Sequence, residues 1–242
     1  MRLHLCHLYP DHLNIYADRG NITVLERRCR WRGIDVSVLP CGIAEPLPEA
    51  DLLYVGGGQD RDQLLVAEDL TGKAEAVHAA VAAGACLLAV CGGYQLLGHD
   101  YRGQAGGRIP GIGLLDLRTE AGTRRMIGNV ALRCELEPGR LRTLVGFENH
   151  AGRTYLGPGL QPLGRVLHGN GNNGEDGGEG VRAGRVVGTY VHGPLLPKNP
   201  WLADWLIGQA LARRHGAVSL EPLDDALELE AHRVALAVAA RP

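Results

Sequence analysis

The chain has 242 residues, 45% of them hydrophobic, with 25 Lys and Arg against 27 Asp and Glu and a formal net charge of −2. That is enough apolar material for one large α/β domain or two small ones, and too balanced a charge for any overall pull toward nucleic acid or an anionic membrane. The six cysteines form no tight disulfide pattern and no zinc spacing, so reduced thiols are expected. The N-terminal stretch, interrupted by Pro10 and early charges, does not read as a signal peptide. No run reaches the ~20 apolar residues of a membrane span, and a cytoplasmic protein is expected.

In chain order, residues 3–8 read as a first strand, 22–32 as a helix closed by Gly33, and 34–39 as a second strand. Residues 52–55 make a third strand that runs into Gly56-Gly57-Gly58; 71–83 is an Ala-rich helix, 86–90 a short buried strand and 92–97 a helix begun at Gly92. Apolar strands alternating with amphipathic helices predict an α/β fold, a mixed but mostly parallel sheet with helices on its faces. After Arg102 the texture shifts to shorter β-like pieces at 112–117, 129–134 and 145–147, separated by glycines, where antiparallel pairing is expected. The polar, glycine-rich GNGNNGEDGGEG at 169–180 reads as a mobile loop. Its acidic residues raise the question of calcium, but their spacing fits no EF-hand. Residues 199–215 read as a surface helix with Trp201, Trp205 and Leu206 inward, and 224–239 as a last helix that packs on the domain or on a partner.

Cys91 stands where the 86–90 strand meets Gly92-Gly93. A thiol at such a turn meets the positive end of a helix dipole, and glycines without Cβ atoms leave backbone N–H groups open to an oxyanion, as in a nucleophile elbow with Cys in place of Ser. A small core cysteine fits the same pattern equally well. Gly56-Gly57-Gly58 ends a neighbouring strand, at the carboxyl edge where parallel sheets place their ligands. An ordinary flexible turn explains those glycines as well, and no GxxxxGK[ST] follows them or occurs elsewhere. GTYVHGP at 188–194 puts His192 at a strand end, where Gly193 and Pro194 free it to serve as the base a thiol needs.

Taken in order, the triple glycine, AVCGGYQ around Cys91 and GTYVHG around His192 resemble class I (triad-type) glutamine amidotransferases, in particular the cobyric-acid-synthase-like branch. LNIYADRGN at 13–21, GFENHAGRTYLG at 146–157, the 169–180 segment and GTYVHGPLLPKNP at 188–200 narrow the likeness. They resemble the glutaminase subunits that serve lipid II amidation. The resemblance implies a flavodoxin-like amidotransferase domain over residues 1–215, followed by a C-terminal helical extension at 216–242. It makes Cys91 the nucleophile that forms a γ-glutamyl thioester, His192 its base, and Gly57 and Gly92 the oxyanion-hole region. Arg125 matches an arginine that holds the substrate's α-carboxylate, although strand alternation aims only one of Arg124 and Arg125 inward. No metal is implied.

One departure stands out: most of the class places a Glu two residues after the histidine, and here that position is Pro194. Cys91 and His192 then act as a dyad, or another acid, such as Glu148, Asp116 or one on a partner, orients the imidazole. Amidation of a carboxylate also requires activation by ATP, for which the chain shows no site. The resemblance therefore implies a heterodimer with a MurT-like, Mur-ligase-type synthetase that carries ATP and Mg. The alternatives are ammonia supply for corrinoid side-chain amidation and a stand-alone γ-glutamyl thiol hydrolase. A regulatory module with an inert Cys91 is the non-enzymatic reading.

Overall fold

A computed structural model describes residues 1–15, 19–103 and 107–241. Three residues of the 13–21 motif, at 16–18, lie outside that set.

The first half builds strands and helices in alternation: β1 (Arg2–Leu8), α1 (Arg19–Trp31), β2 (Asp35–Cys41), β3 (Leu52–Val55), α2 (Asp60–Gly72), α3 (Ala74–Ala82), β4 (Cys86–Val90) and α4 (Gly92–Leu96). The helix expected at 71–83 is α3, which begins only at Ala74; residues 71 and 72 end a separate helix, α2, that the sequence pattern does not predict. Gly72 closes α2, and Lys73 turns the chain into α3. The second half begins with β5 (Asp100–Arg102) and β6 (Arg108–Pro110) and continues into a long hairpin of β7 (Leu117–Glu137) and β8 (Arg140–Leu156). The strand expected at 112–117 is irregular up to Leu117, because backbone N–H groups there are spent on α4: Ile112 donates to the Leu96 carbonyl and Leu115 to that of Leu97. The pieces expected at 129–134 and 145–147 are segments of the hairpin. Then follow β9 (Gly164–His168), β10 (Gly178–Glu179), β11 (Val181–Ala183), β12 (Val186–Thr189), α5 (Pro200–His215) and α6 (Ala226–Ala239).

Two sheets result. The first runs β11-β12-β4-β3-β1-β2, with β12, β4, β3, β1 and β2 parallel and β11 antiparallel at its edge. Every residue of β3, β4 and β12 is buried, as expected for parallel strands covered on both faces, which is why they read as unbroken apolar runs. The second sheet, β10-β9-β7-β5-β6 with β8 on β7, is largely antiparallel. The stretch expected to be a mobile loop, 169–180, is a packed turn instead: Asn172, Asn173 and Glu179 are buried. Its polarity is consumed internally. The Asn172 amide donates to the Gly180 carbonyl and accepts from the Gly180 N–H, both at 2.9 Å, and Asn173 accepts from the N–H groups of Glu175 and Asp176. All six cysteines are buried free thiols, and no helix among the described residues is long and apolar enough to cross a membrane.

The chain's end is tied to its beginning by Arg28 of α1, which is 1% exposed. Its guanidinium forks onto Asp204 of α5 at 2.7 Å through both Nε and Nη2, and reaches Asp225, just before α6, at 2.6 Å. Arg32 adds a second fork to Asp204. From there α6 lies on the hairpin, with Ala239 buried against Ala131 and Val145. Its His232 donates from Nδ1 to the Lys198 carbonyl at 2.8 Å and shares a hydrogen bond of 2.7 Å between Nε2 and the Thr143 hydroxyl. Removing one member of a buried pair strands the other charges. Arg28→Ala should cost about 3 kcal/mol in chemical denaturation, the low end for such a pair because Asp204 and Asp225 keep 26% and 21% of their side-chain surface in water. It should also open the tail beyond residue 216 to limited proteolysis.

Candidate active site

The carboxyl ends of β3, β4 and β12 are neighbours in the first sheet, so Gly56-Gly57-Gly58, Cys91 and His192 come together at one edge. Cys91 sits between β4 and α4 with φ 50° and ψ −108°, a backbone conformation that an L residue holds only under constraint. Two contacts impose it. The Cys91 N–H donates to the Thr189 carbonyl at 2.8 Å, and α4 is drawn onto β3 by the Gly93 N–H bonding to the Gly56 carbonyl at 3.1 Å. Gly93 is required there, since a Cβ would come within 2.8 Å of that carbonyl oxygen. A Cβ on Gly57 would lie 2.9 Å from the His192 ring and 3.2 Å from the Cys91 Cβ; one on Gly92 would lie 3.3 Å from the Gly58 nitrogen. The sequence-predicted nucleophile, base and oxyanion glycines therefore occupy one small volume.

Cys91 opens onto a cleft of about 420 Å³, also lined by Gln59, Arg61, Gln63, Gln95, Tyr101, Arg125, Asn149 and His150. Arg125 reaches it by an irregular route. Ala121 pairs with Gly152 and Met126 with His150, so residues 122–125 bulge opposite Ala151 alone. Strand alternation does not apply across such a bulge: Arg125 lines the cleft, and Arg124 lines the groove beside it, together with Arg125. Arg153 braces the bulge by donating to the Arg124 carbonyl at 2.9 Å, while Arg125 donates to the side chain and the carbonyl of Asn149.

Behind the cleft runs a buried hydrogen-bond chain. The Gln63 amide of α2 donates to Gln95 of α4 at 2.8 Å, Gln95 donates to the Tyr190 hydroxyl at 3.0 Å, and that hydroxyl meets Thr154 at 2.6 Å and, through it, Thr119. His150 stacks on Tyr190 with ring centroids 3.6 Å apart. Its Nδ1–H donates to the Gly152 carbonyl, and burial pushes its pKa down to about 3. Beneath the His192 segment, burial pushes the Glu179 carboxyl up to about 8, against the pull of the Tyr190 N–H and Thr189 hydroxyl that donate to it. Burial likewise holds the Cys29, Cys86 and Cys134 thiols near 12, out of reach as thiolates. Among the six cysteines Cys91 alone lines the cleft.

Neither acid singled out from the sequence is spare. Asp116 is on the surface, 3.0 Å from His99, and is absent from the cleft lining. Glu148 is buried, but its oxygens accept from the Asn170 N–H and side-chain amide and from the Gly171 N–H. No group of three or more His, Cys, Asp or Glu among the described residues is arranged to hold a metal.

A model of the CobB/CobQ-like glutamine amidotransferase domain matches residues 4–200. The chain belongs to that family. Two relatives named lipid II isoglutaminyl synthase (glutamine-hydrolyzing) subunit GatD resemble it along nearly its whole length. The one from Staphylococcus aureus is 38% identical over 96% of this chain and 94% of its own, and that from Streptococcus pneumoniae 39% over 95% and 88%. The cobyric acid synthase of Pelotomaculum thermopropionicum is 38% identical over 71% of this chain but only 34% of its own length. The fold is shared with PurLQS from Thermotoga maritima, with a TM-score of 0.57 at 19% identity over 87% of this chain and 96% of that one.

The amidotransferase site contains residues that sequence reasoning did not single out. Gln95, one helical turn after Cys91, was in plain view within the CGGYQ motif. Gln63 was hidden in a helix too polar to be read as one. His150 and Glu179 look like ordinary polar residues until burial is known, and each should leave a mark on stability. His150, neutral when folded down to about pH 3 but protonated below 6.5 when unfolded, removes stability as pH falls through that window. Glu179, protonated when folded up to about pH 8 but ionised above 4.5 when unfolded, removes it as pH rises. Between pH 7 and pH 5 the denaturant midpoint of His150→Gln should therefore fall less, or rise more, than that of the wild type, since Glu179 acts equally in both.

Proposed function

We propose that this chain is the glutaminase subunit of a cytoplasmic two-protein enzyme. It hydrolyses L-glutamine and passes the ammonia to a MurT-like, Mur-ligase-type synthetase, which uses ATP and Mg to amidate the D-glutamate of lipid II to D-isoglutamine. The observation that carries the reading is the strained Cys91 beside His192 and Gly57, in a cleft that also bears Arg125. The near full-length likeness to the two GatD subunits supports the acceptor. It favours lipid II over a corrinoid, because the cobyric acid synthase likeness leaves more of this chain unmatched.

In this reading Arg125 pairs with the α-carboxylate of glutamine and leaves the side-chain amide over Cys91. The thiolate adds to the amide carbon after its proton has passed to His192. Backbone around Gly57 and Gly92 faces the oxygen where negative charge develops. His192 returns the proton to the departing nitrogen, so ammonia leaves and a γ-glutamyl thioester remains on Cys91. Water, deprotonated by the same imidazole, then releases glutamate and the free thiol. A passage from this cleft to the synthetase keeps the ammonia unprotonated and away from bulk water.

The deciding experiment is co-expression with a Mur-ligase-like partner and a glutamine- and ATP-dependent amidation assay on lipid II. The wild-type pair should amidate, and Cys91→Ala should lose amidation from glutamine while retaining it from added ammonium. Absence of amidation by the wild-type pair overturns the assignment. Arg125→Ala should raise KM for glutamine about ten- to a hundredfold, the scale of a lost charge-assisted hydrogen bond, with a smaller effect on kcat. Glutaminase turnover of the isolated chain should be low and should rise when the synthetase is added.

A further inference from the structure

We infer that Glu179 is a positioning residue: through Thr189 it fixes the turn bearing Cys91 relative to the segment bearing His192, a role that rests on the glutaminase reading above. Glu179 is the last residue of β10, where the chain leaves the second sheet, and Gly180 carries it into β11 of the first. The crossing is rigid. Gly180 has φ 64° and is gripped on both its N–H and its carbonyl by the Asn172 amide.

From this anchored point the fully buried carboxyl group meets the Thr189 hydroxyl, at 2.9 Å to one oxygen and 3.0 Å to the other, and accepts the Tyr190 N–H at 2.6 Å. Thr189 is a junction. Its hydroxyl oxygen also accepts the Val191 N–H at 3.0 Å, and its carbonyl accepts the Cys91 N–H at 2.8 Å. His192 is secured from the other side, exchanging backbone hydrogen bonds with Phe147 at 2.8 and 3.1 Å. β12 ends at Thr189, so no ladder serves the next residues, and without Glu179 a buried hydroxyl and a buried N–H would lose their acceptor. The acid that most of the class places two residues after the histidine is Pro194 here. Glu179 holds the backbone that sets where Cys91 and His192 stand.

Two variants probe the link from either end. Glu179→Leu keeps the volume and removes the acceptor, and Thr189→Val keeps the shape and removes the hydroxyl; Glu179→Gln retains an acceptor oxygen. Each is followed by kcat and KM for glutamine hydrolysis. The pH dependence of Cys91 alkylation by iodoacetamide, with Cys91→Ala as the blank, reports the thiol–imidazole pairing without needing glutamine. Glu179→Leu and Thr189→Val should each lower kcat on the order of ten- to a hundredfold, the scale of a misplaced reacting group, while KM stays nearly unchanged. The double variant should be no worse than the poorer single one, Glu179→Gln should recover most of kcat, and Cys91 alkylation below pH 8 should slow in parallel. Additive losses, equal losses in Glu179→Gln, or wild-type kcat and alkylation in Thr189→Val would overturn the inference. If Glu179→Leu does not fold, Thr189→Val and Glu179→Gln carry the same comparison. If the wild type hydrolyses no glutamine even with the synthetase present, the glutaminase reading falls instead, and the alkylation profile of Thr189→Val alone decides the positioning role.

Discussion

The site depends on one backbone constraint: Cys91 held at φ 50° between the end of β4 and the start of α4. A non-glycine residue in that region costs on the order of 1–3 kcal/mol and persists only where its surroundings over-determine it. Here they do so from two strands at once. β12 holds the Cys91 N–H through the Thr189 carbonyl, and β3 holds α4 through the Gly56 carbonyl. Because those two strands flank β4, the strain is maintained by the same neighbours that bring Gly57 and His192 to the thiol. Sheet order, strained turn and the proximity of Cys91 to His192 are one arrangement.

The second sheet contributes by bracing. Its long hairpin supplies Phe147 to pair with His192, Asn149 and His150 to the cleft wall, and a bulge that presents Arg125. The hydrogen-bond chain from Gln63 to Thr119 crosses from α2 through α4 into the hairpin. Each neutral group in it satisfies the next, so polar residues are buried without buried unpaired charge. Glu179 and Asn172 belong to the same scheme.

Much of the first sheet was legible because buried parallel strands and the glycine turns after them leave local marks: an apolar run such as 86–90, then Gly92-Gly93. Cys91, His192 and the triple glycine could be found from such marks and from family likeness. Other features have no local signature. The packed state of 169–180 depends on Asn172 meeting Gly180 and on Glu148 receiving the N–H groups of Asn170 and Gly171, contacts made across folded distance. Strand alternation could not choose between Arg124 and Arg125 for a related reason, since a bulge is fixed by what its partner strand does. α2 escaped notice because its buried Gln63 breaks the apolar stripe by which amphipathic helices are recognised.

The insertion of β12 beside β4 bears on how the chain is made. β4 and the turn with Cys91 leave the ribosome about a hundred residues before β12 does, so during that interval β4 presents an unpaired, wholly apolar edge of the kind that recruits stray strands. The same delay keeps the thiol without its imidazole and the strained turn without its brace from Thr189. The strand that covers the sticky edge is thus the one that brings His192 beside Cys91.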